Sequence, residues 1–421
     1  MDIEIIKNII IEGQELISQI EAIPRNFSLE KNARYVFVGV RQAGKSYLLY
    51  IWAQQLISEG HDPREILYIN FDDERLIGLA ASELDDILKA YSTLFKFKPI
   101  LFLDEIQNIE GWEHFARRLA NQKYRVYITG SNAKMLSKDI ATVLGARYIQ
   151  EHVFPFSFRE YLLANGCVID DNWAYGSKRG EVERLLSDYL QWGGFPESLL
   201  FVNKRHWLNV LYDKIILGDI IQRNGIKNEM AIKLVVRRLA DNIKNPTSLN
   251  RISSLVKATG VSTNVTSVAS YVSYCKDACL LFTLDNFASK FVERQTVRKH
   301  YFIDNGILNI FLTDSDTALL ENLCAVALYR KSFTDERYEP FFYNKEVEID
   351  FYLPALKIGI QACYSLRDAS TLEREVKALT CFHNSYGLSE AWIITMSEER
   401  DILTDSLNIK VIPLSKFLLS L

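Results

Sequence analysis

The segment Gly39-Val40-Arg41-Gln42-Ala43-Gly44-Lys45-Ser46 satisfies G-x-x-x-x-G-K-[ST] at all its fixed positions, and no other stretch restricts the fold of this chain as strongly. The β-rich run YVFV precedes it and the apolar, helix-like run YLLYIWAQQL follows. A strand, a small-residue turn and a helix N-terminus in that order present backbone N–H groups to an anion, which suits the phosphates of a nucleoside triphosphate. Gly39, Val40, Arg41, Gln42, Ala43, Gly44, Lys45, Ser46 and Tyr47 are therefore candidate nucleotide contacts. Lys45 is expected to neutralise phosphate oxygens and Ser46 to ligate Mg2+.

Such a loop needs a second acid-bearing strand beside it. Ile100-Leu101-Phe102-Leu103 ends in Asp104-Glu105, and two carboxylates closing a buried run are costly unless metal or solvent accommodates them. Asp104 is the expected partner of Mg2+ and Glu105 the group that polarises an attacking water. Tyr124–Asn132 ends in Thr129-Gly130-Ser131-Asn132, whose short polar side chains offer a γ-phosphate sensor, either Ser131 or Asn132. With Tyr35–Val40 and Glu65–Asp73 these runs alternate with helical stretches. That alternation predicts an α/β fold, a parallel sheet carrying its ligands at the strands' carboxyl ends.

The chain is 421 residues long, 48% hydrophobic and 24% charged, with a net charge of −4. It is too long for one core, too apolar for disorder and not basic enough for a polybasic nucleic-acid binder. The six cysteines follow neither zinc nor disulfide spacing and read as reduced, mostly buried thiols. Residues 1–30 open on a helix-like apolar pattern interrupted by acids, unlike a signal peptide. No run reaches about 18 apolar residues, so a cytoplasmic protein without membrane contact is expected.

After Phe154-Pro155-Phe156 the pattern turns helical. Between Ser248 and Phe287 a helix, a glycine-centred break, a second helix from Ser262 and the strand LLFTLDNF follow the order of a winged helix-turn-helix. Beyond Thr313, FFYNKEVEIDFYLP, KIGIQACYSL, AWIITMS and IKVIPL are strand candidates.

The ordered set GVRQAGKSYLLY, LFLDEIQN, YITGSNAKML, FPFSFREYL, WGGFPE, LYDKIILGDIIQRN, YFIDNGILN and EVEIDF resembles the prokaryotic AAA-type P-loop ATPases that carry a carboxyl-terminal domain of unknown function. The resemblance implies a P-loop ATPase core over 31–158, a helical lid over 159–230, a winged helix over 231–310 and a degenerate restriction-endonuclease-like α/β domain over 311–421. The resemblance also favours ATP as the nucleotide, and no N-K-x-D pattern for guanine follows the core strands. In this family an arginine commonly precedes the F-P-x-S-F-R-E segment; here that residue is Arg147. Arg223 is the other candidate for an arginine that completes a neighbouring subunit's site in a homo-oligomer. A structural ion pair is the competing account of either.

Restriction-type nucleases use an acid, then a strand Asp, then Glu-x-Lys, so that carboxylates hold Mg2+ and the lysine steadies developing charge. The corresponding residues here are Glu321, Glu348, Asp350, Gln361 and Cys363. Gln361 keeps an oxygen ligand without charge and Cys363 supplies no ammonium, so the third motif is broken. Cleavage would require another lysine, such as Lys345 or Lys357. A vestigial fold retained for docking is the expectation.

Arg223, Lys227, Lys233, Arg237, Arg238, Lys244, Arg251 and Lys257 face only Glu229 and Asp241 in the same segment. This basic island in an acidic chain suits phosphate contacts with double-stranded DNA, without base readout, because the next helix has no arginine before Lys276. Lys290, Arg294, Arg298 and Lys299 extend it as a basic wing. A protein-contact face is the alternative. The expected activity is an ATP-dependent switch or motor, its rivals being a nucleotide-gated interaction module and an ATP-dependent metal nuclease.

Overall fold

The computed structural model describes residues 2–25, 27, 29–136, 138–287, 297–313 and 316–421. The chain forms two compact units, Met1–Phe154 with Asp277–Cys279, and Pro155–Lys276 with Leu280–Leu421.

The first unit begins with α1 (Ile3–Gln19), whose first turn is capped by Asp2 accepting from Glu4 N. Ile6, Ile9, Ile10 and Ile17 form its buried stripe, and Gly13 lies against Tyr68, where a Cβ would sit 3.1 Å from backbone and ring. The sheet comprises β1 (Tyr35–Val38), β2 (Ile66–Asn70), β3 (Ile100–Asp104), β4 (Arg125–Gly130) and β5 (Ile149–His152). All pairings are parallel, in the order β2-β3-β4-β1-β5. β1 and β3 are buried along their whole length, as a sheet covered on both faces requires. Helices α2 (Lys45–Ser58), α3 (Asp85–Leu94), α4 (Trp112–Asn121) and α5 (Lys138–Leu144) connect the strands. Because β3, β4 and β1 are neighbours, the acid pair, the polar tip and the glycine loop leave the sheet side by side. The fifth strand was not among the expected ones.

The second unit opens with helices α6 (Phe158–Ala164), α7 (Lys178–Trp192) and α8 (Lys204–Lys214), the last running into a π-helix over Ile215–Gln222, followed by α9 (Glu229–Asp241). Next come β6 (Thr247–Ser248), α10 (Leu249–Lys257), α11 (Val265–Asp277), β7 (Leu281–Leu284) and β8 (Val297–Phe302), the strands pairing antiparallel as β6-β8-β7. The second of these helices starts at Val265 rather than Ser262, because Asn264 Oδ1 accepts from Ser267 N and caps it there.

α12 (Asn305–Asn309) and α13 (Asp316–Ser332) lead to a six-stranded sheet of β9 (Phe341–Asn344), β10 (Glu348–Leu353), β11 (Ile358–Ala362), β12 (Glu390–Thr395), β13 (Arg400–Leu403) and β14 (Asn408–Pro413). Its order is β13-β14-β12-β11-β10-β9. α14 (Ala369–Tyr386) covers it, with Phe382 set edge-on to Tyr343 and Tyr352, and α15 (Leu414–Ser420) closes the chain. The run FFYNKEVEIDFYLP is two strands rather than one, since Lys345 N bonds Val347 O across a polar turn. All six cysteines are free and only Cys381 is exposed. Among the described residues no helix is long and apolar enough to cross a membrane.

Candidate nucleotide site and a second ion cluster

β1 ends against β5, and a Cβ on Gly39 would collide with the Val153 carbonyl oxygen, so only glycine can begin the loop. Gln42 and Gly44 take left-handed conformations, with φ of 62° and 92°, and curl the chain into the N-terminus of α2. Gly44 caps that helix with no side chain, which leaves its first-turn N–H groups open to an anion. Arg25 clamps the loop from outside, donating to Ala43 O at 3.0 Å and Phe154 O at 2.7 Å. Lys45 is buried and its Nζ donates to the carbonyls of Gly39 and Val40, each at 3.2 Å, with Glu105 Oε1 at 3.4 Å. Arg41 lies 3.9 Å from Asp72, and Tyr47 is half-exposed, edge-on to Tyr50.

The end of β3 supplies the acids. Asp104 is fully buried, and burial, reinforced by Glu105, raises its pKa. Hydroxyls of Ser46, Thr129 and Tyr68 oppose that shift by bonding its carboxylate, Tyr68 at 2.8 Å. Tyr68 in turn meets the Tyr50 hydroxyl at 3.0 Å, and burial lifts the Tyr50 phenol to about 12. Thr129 serves both acids, since it donates to Asp104 and accepts from Glu105 N at 3.0 Å. Glu105 is left-handed, φ 53°, a strained geometry for a residue with a Cβ. Burial would raise its pKa, but Lys45, the Gln107 amide, Arg41 and Ser131 outweigh burial and hold it low. Gln107 Nε2 grips Glu105 Oε2 and reaches Ser131 Oγ at 3.4 Å. Ser131 is thus turned toward the carboxylate, whereas Asn132 Oδ1 accepts from Lys134 N and caps its own turn.

The donor set fits a nucleoside triphosphate with Mg2+. Lys45 contacts acceptors that phosphate could replace, and Ser46 and Asp104 meet as one hydroxyl and one carboxylate. Among the described residues no group of three or more His, Cys, Asp and Glu is placed to hold a metal.

The profile of the AAA domain matches residues 31–162, and a domain of unknown function matches 183–318. An uncharacterized protein of Methanocaldococcus jannaschii is 33% identical over 382 residues, spanning 88% of this chain and 84% of its own. The chain belongs to the AAA-domain family that carries a carboxyl-terminal domain of unknown function. An uncharacterized protein of Haemophilus influenzae is 28% identical across 77% of this chain and 82% of its own. Among solved structures, the Aeropyrum pernix ORC1 protein in complex with DNA aligns with 76% of this chain and 92% of its own, at 15% identity and a TM-score of 0.31. AMPPCP-bound DnaA from Aquifex aeolicus aligns with 65% of this chain and 86% of its own, at 13% identity and a TM-score of 0.25.

In this AAA domain Arg147 is exposed in the turn before β5. Arg223, in the second unit, lies 3.4 Å from the buried Asp219 one turn back. Sequence reasoning missed Arg25, Tyr68 and Gln107; of these only Gln107, two residues past Glu105, carried a local signal.

The second unit holds another buried ionic group. Lys299 of β8 is fully buried, and its Nζ lies 3.1 Å from Glu321, 3.2 Å from Glu348 and 3.0 Å from Asp350. Three sequence candidates therefore do meet, around a lysine assigned to a basic wing. Lys299 is not on a charged surface; Arg298 pairs with Asp285 at 2.9 Å, and Lys290 and Arg294 lie outside the described residues. Gln361 is not an oxygen ligand: its Oε1 accepts from Asp350 N and its Nε2 donates to Glu348 O, both at 2.9 Å. Cys363 turns away to Ser365 O. Lys345 sits beside Glu346 on the surface, and neither it nor Lys357 is among the cations that pair with the cluster.

Proposed function

We propose that this chain binds ATP with Mg2+, hydrolyses it, and uses the cycle as a switch or motor whose second unit engages double-stranded DNA. The observation that carries the ATPase reading is the meeting of Lys45 and Glu105, beside Ser46 on Asp104, at the mouth of an uncapped helix. In this reading the loop N–H groups and Lys45 bind the β- and γ-phosphates, and Ser46 and Asp104 hold Mg2+. The ion supplies neutralisation of phosphate oxygens. Lys45 exchanges its carbonyl contacts for phosphate, which releases Glu105 to accept a proton from the attacking water. Gln107 fixes the Glu105 carboxylate, and Ser131 senses the γ-phosphate.

For DNA, the support is the exposed row Lys227, Arg237, Lys244, Arg251 and Lys257, around the order β6, α10, α11, β7, β8 that we read as a winged helix. Arg251 also lines a 460 Å³ cavity with Asn242 and Asn245, and guanidinium and amide groups hydrogen-bond phosphate and sugar. Such contacts position a duplex without reading its sequence. The test is steady-state ATP hydrolysis with and without double-stranded DNA. The expected outcome is stimulation independent of sequence, whose affinity falls log-linearly with salt at a slope of about −0.9 per phosphate contact. Binding of ATP without turnover or DNA response would make the chain a nucleotide-gated docking module instead.

Tyr68→Phe tests the support of Asp104. Losing one hydrogen bond to a carboxylate costs about 1.5–3 kcal/mol, so the Mg2+ concentration for half-maximal rate should rise at least about 10-fold. ATP affinity measured in EDTA should stay unchanged.

A further inference from the structure

The Lys299 cluster belongs to the second unit, and its geometry has a direct chemical reading. An ammonium has three N–H donors and no acceptor. Three carboxylate oxygens lie within 3.2 Å of Nζ, from α13 (Glu321) and from β10 (Glu348 and Asp350), and those of Glu321 and Asp350 accept hydrogen bonds from it. Two of the acids have further partners. Tyr301, two residues along β8 on the same face, donates to Glu321 Oε1 at 2.8 Å, and Asp350 Oδ2 accepts from Ala362 N at 3.0 Å. Gln361 spends both amide atoms on the β10 backbone. A glutamate in its place could not donate to Glu348 O, so the amide is matched to this network.

Two roles are open to such a lysine. A lysine that assists phosphodiester cleavage must reach the substrate, with a metal ion between itself and the acids. Lys299 has no exposed surface, and its Nζ stands among the acids, in the position that a metal would share. Burial is the largest influence on its basicity and lowers it, yet Glu321, Tyr301, Asp350 and Glu348 outweigh burial and keep the amine protonated. Burial, together with Asp350 and Glu348, raises the pKa of Glu375 of α14, which is bonded by Arg374 at 2.5 Å.

We propose that Lys299 is a built-in cation that takes the place of a divalent metal among Glu321, Glu348 and Asp350, closing this α/β domain to metal-dependent phosphodiester chemistry. The site is permanently loaded by the chain's own ammonium and works as a lock between β8, α13 and β10. The domain therefore docks or transmits and does not cut.

The test compares the full chain and its Lys299→Ala and Lys299→Gln variants, nucleotide-free and in an Asp104→Asn background that removes the other metal position. Mn2+ binding is read by electron paramagnetic resonance, and thermal midpoints are taken in EDTA and in Mn2+. The parent should bind no Mn2+ and keep its midpoint within about 1 °C. Lys299→Ala, which leaves carboxylates uncompensated, should melt about 10 °C lower in EDTA. Mn2+ should recover most of that loss, and a further Asp350→Asn change should abolish the recovery. Lys299→Gln is one atom shorter and neutral but keeps two N–H donors and most of the side-chain bulk, so it reports even if the alanine variant does not fold. Mn2+ bound by the parent through Asp350, or a folded Lys299→Gln protein with parental stability and no metal response, would overturn the proposal.

Discussion

Glu105→Gln is expected to leave ATP bound and to lower its turnover by about 100- to 10,000-fold. The substitution preserves the size of the side chain but not its ability to take a proton. Its effect on binding follows from Lys45, which is held by Glu105 at 3.4 Å and by two carbonyls. Removing the carboxylate's charge frees the ammonium for phosphate, so affinity should be equal or tighter. Lys45→Ala should behave oppositely and lose nucleotide and turnover together, because Lys45 is the cation that contacts both the Gly39 and Val40 carbonyls and Glu105. Titration calorimetry with ATP, beside single-turnover hydrolysis, separates the two variants. A Glu105→Gln rate within about threefold of the parent would move the base elsewhere.

That contrast depends on residues that were readable from the amino-acid order to very different degrees. The glycine loop and the acid pair are local: four consecutive apolar residues force β3 into the sheet, and the adjacent acids must then leave at its end. Tyr68 is invisible at that level. It lies on β2, its hydroxyl matters only because β2 neighbours β3, and nothing in ILYIN distinguishes a core tyrosine from one that holds an acid. β5 escaped because Ile149–His152 is a short edge strand with mixed exposure, so it lacks the apolar run that betrays an interior strand. Lys299 escaped for another reason. In VRKHYF a charge precedes Tyr301 and Phe302, and a lysine near other basic residues reads as surface. Its partners are 22, 49 and 51 positions away, and only the fold reveals that they meet. The alternation was still informative, since Lys299 and Tyr301 share one face and both bond Glu321.

Two glycines of α7 should respond to the same substitution with opposite signs. Gly193 ends the helix with φ 71° and ψ −163°, a region almost exclusive to glycine. A Cβ there would collide with the Asp304 carboxylate. Asp304 cannot move aside, because its oxygens accept from Gly194 N and Gly306 N, each at 2.7 Å. Gly194 and Gly306 are equally hemmed in, their Cβ positions being taken by the carbonyl oxygens of Phe156 and Trp192. Backbone strain of about 1–3 kcal/mol adds to about 1–3 kcal/mol of overpacking. Gly193→Ala should therefore lower the thermal midpoint of the second unit by roughly 10 °C. Gly180, in the first turn of the same helix, has nothing within 4 Å of a Cβ and no positive φ. Gly180→Ala should raise stability by about 0.5 kcal/mol through the reduced freedom of the unfolded chain. Differential scanning calorimetry of both variants, with ATP affinity as the control for an intact first unit, decides the matter. A Gly193→Ala protein as stable as the parent would mean that the Asp304 junction yields, and that WGGFPE is not held by packing.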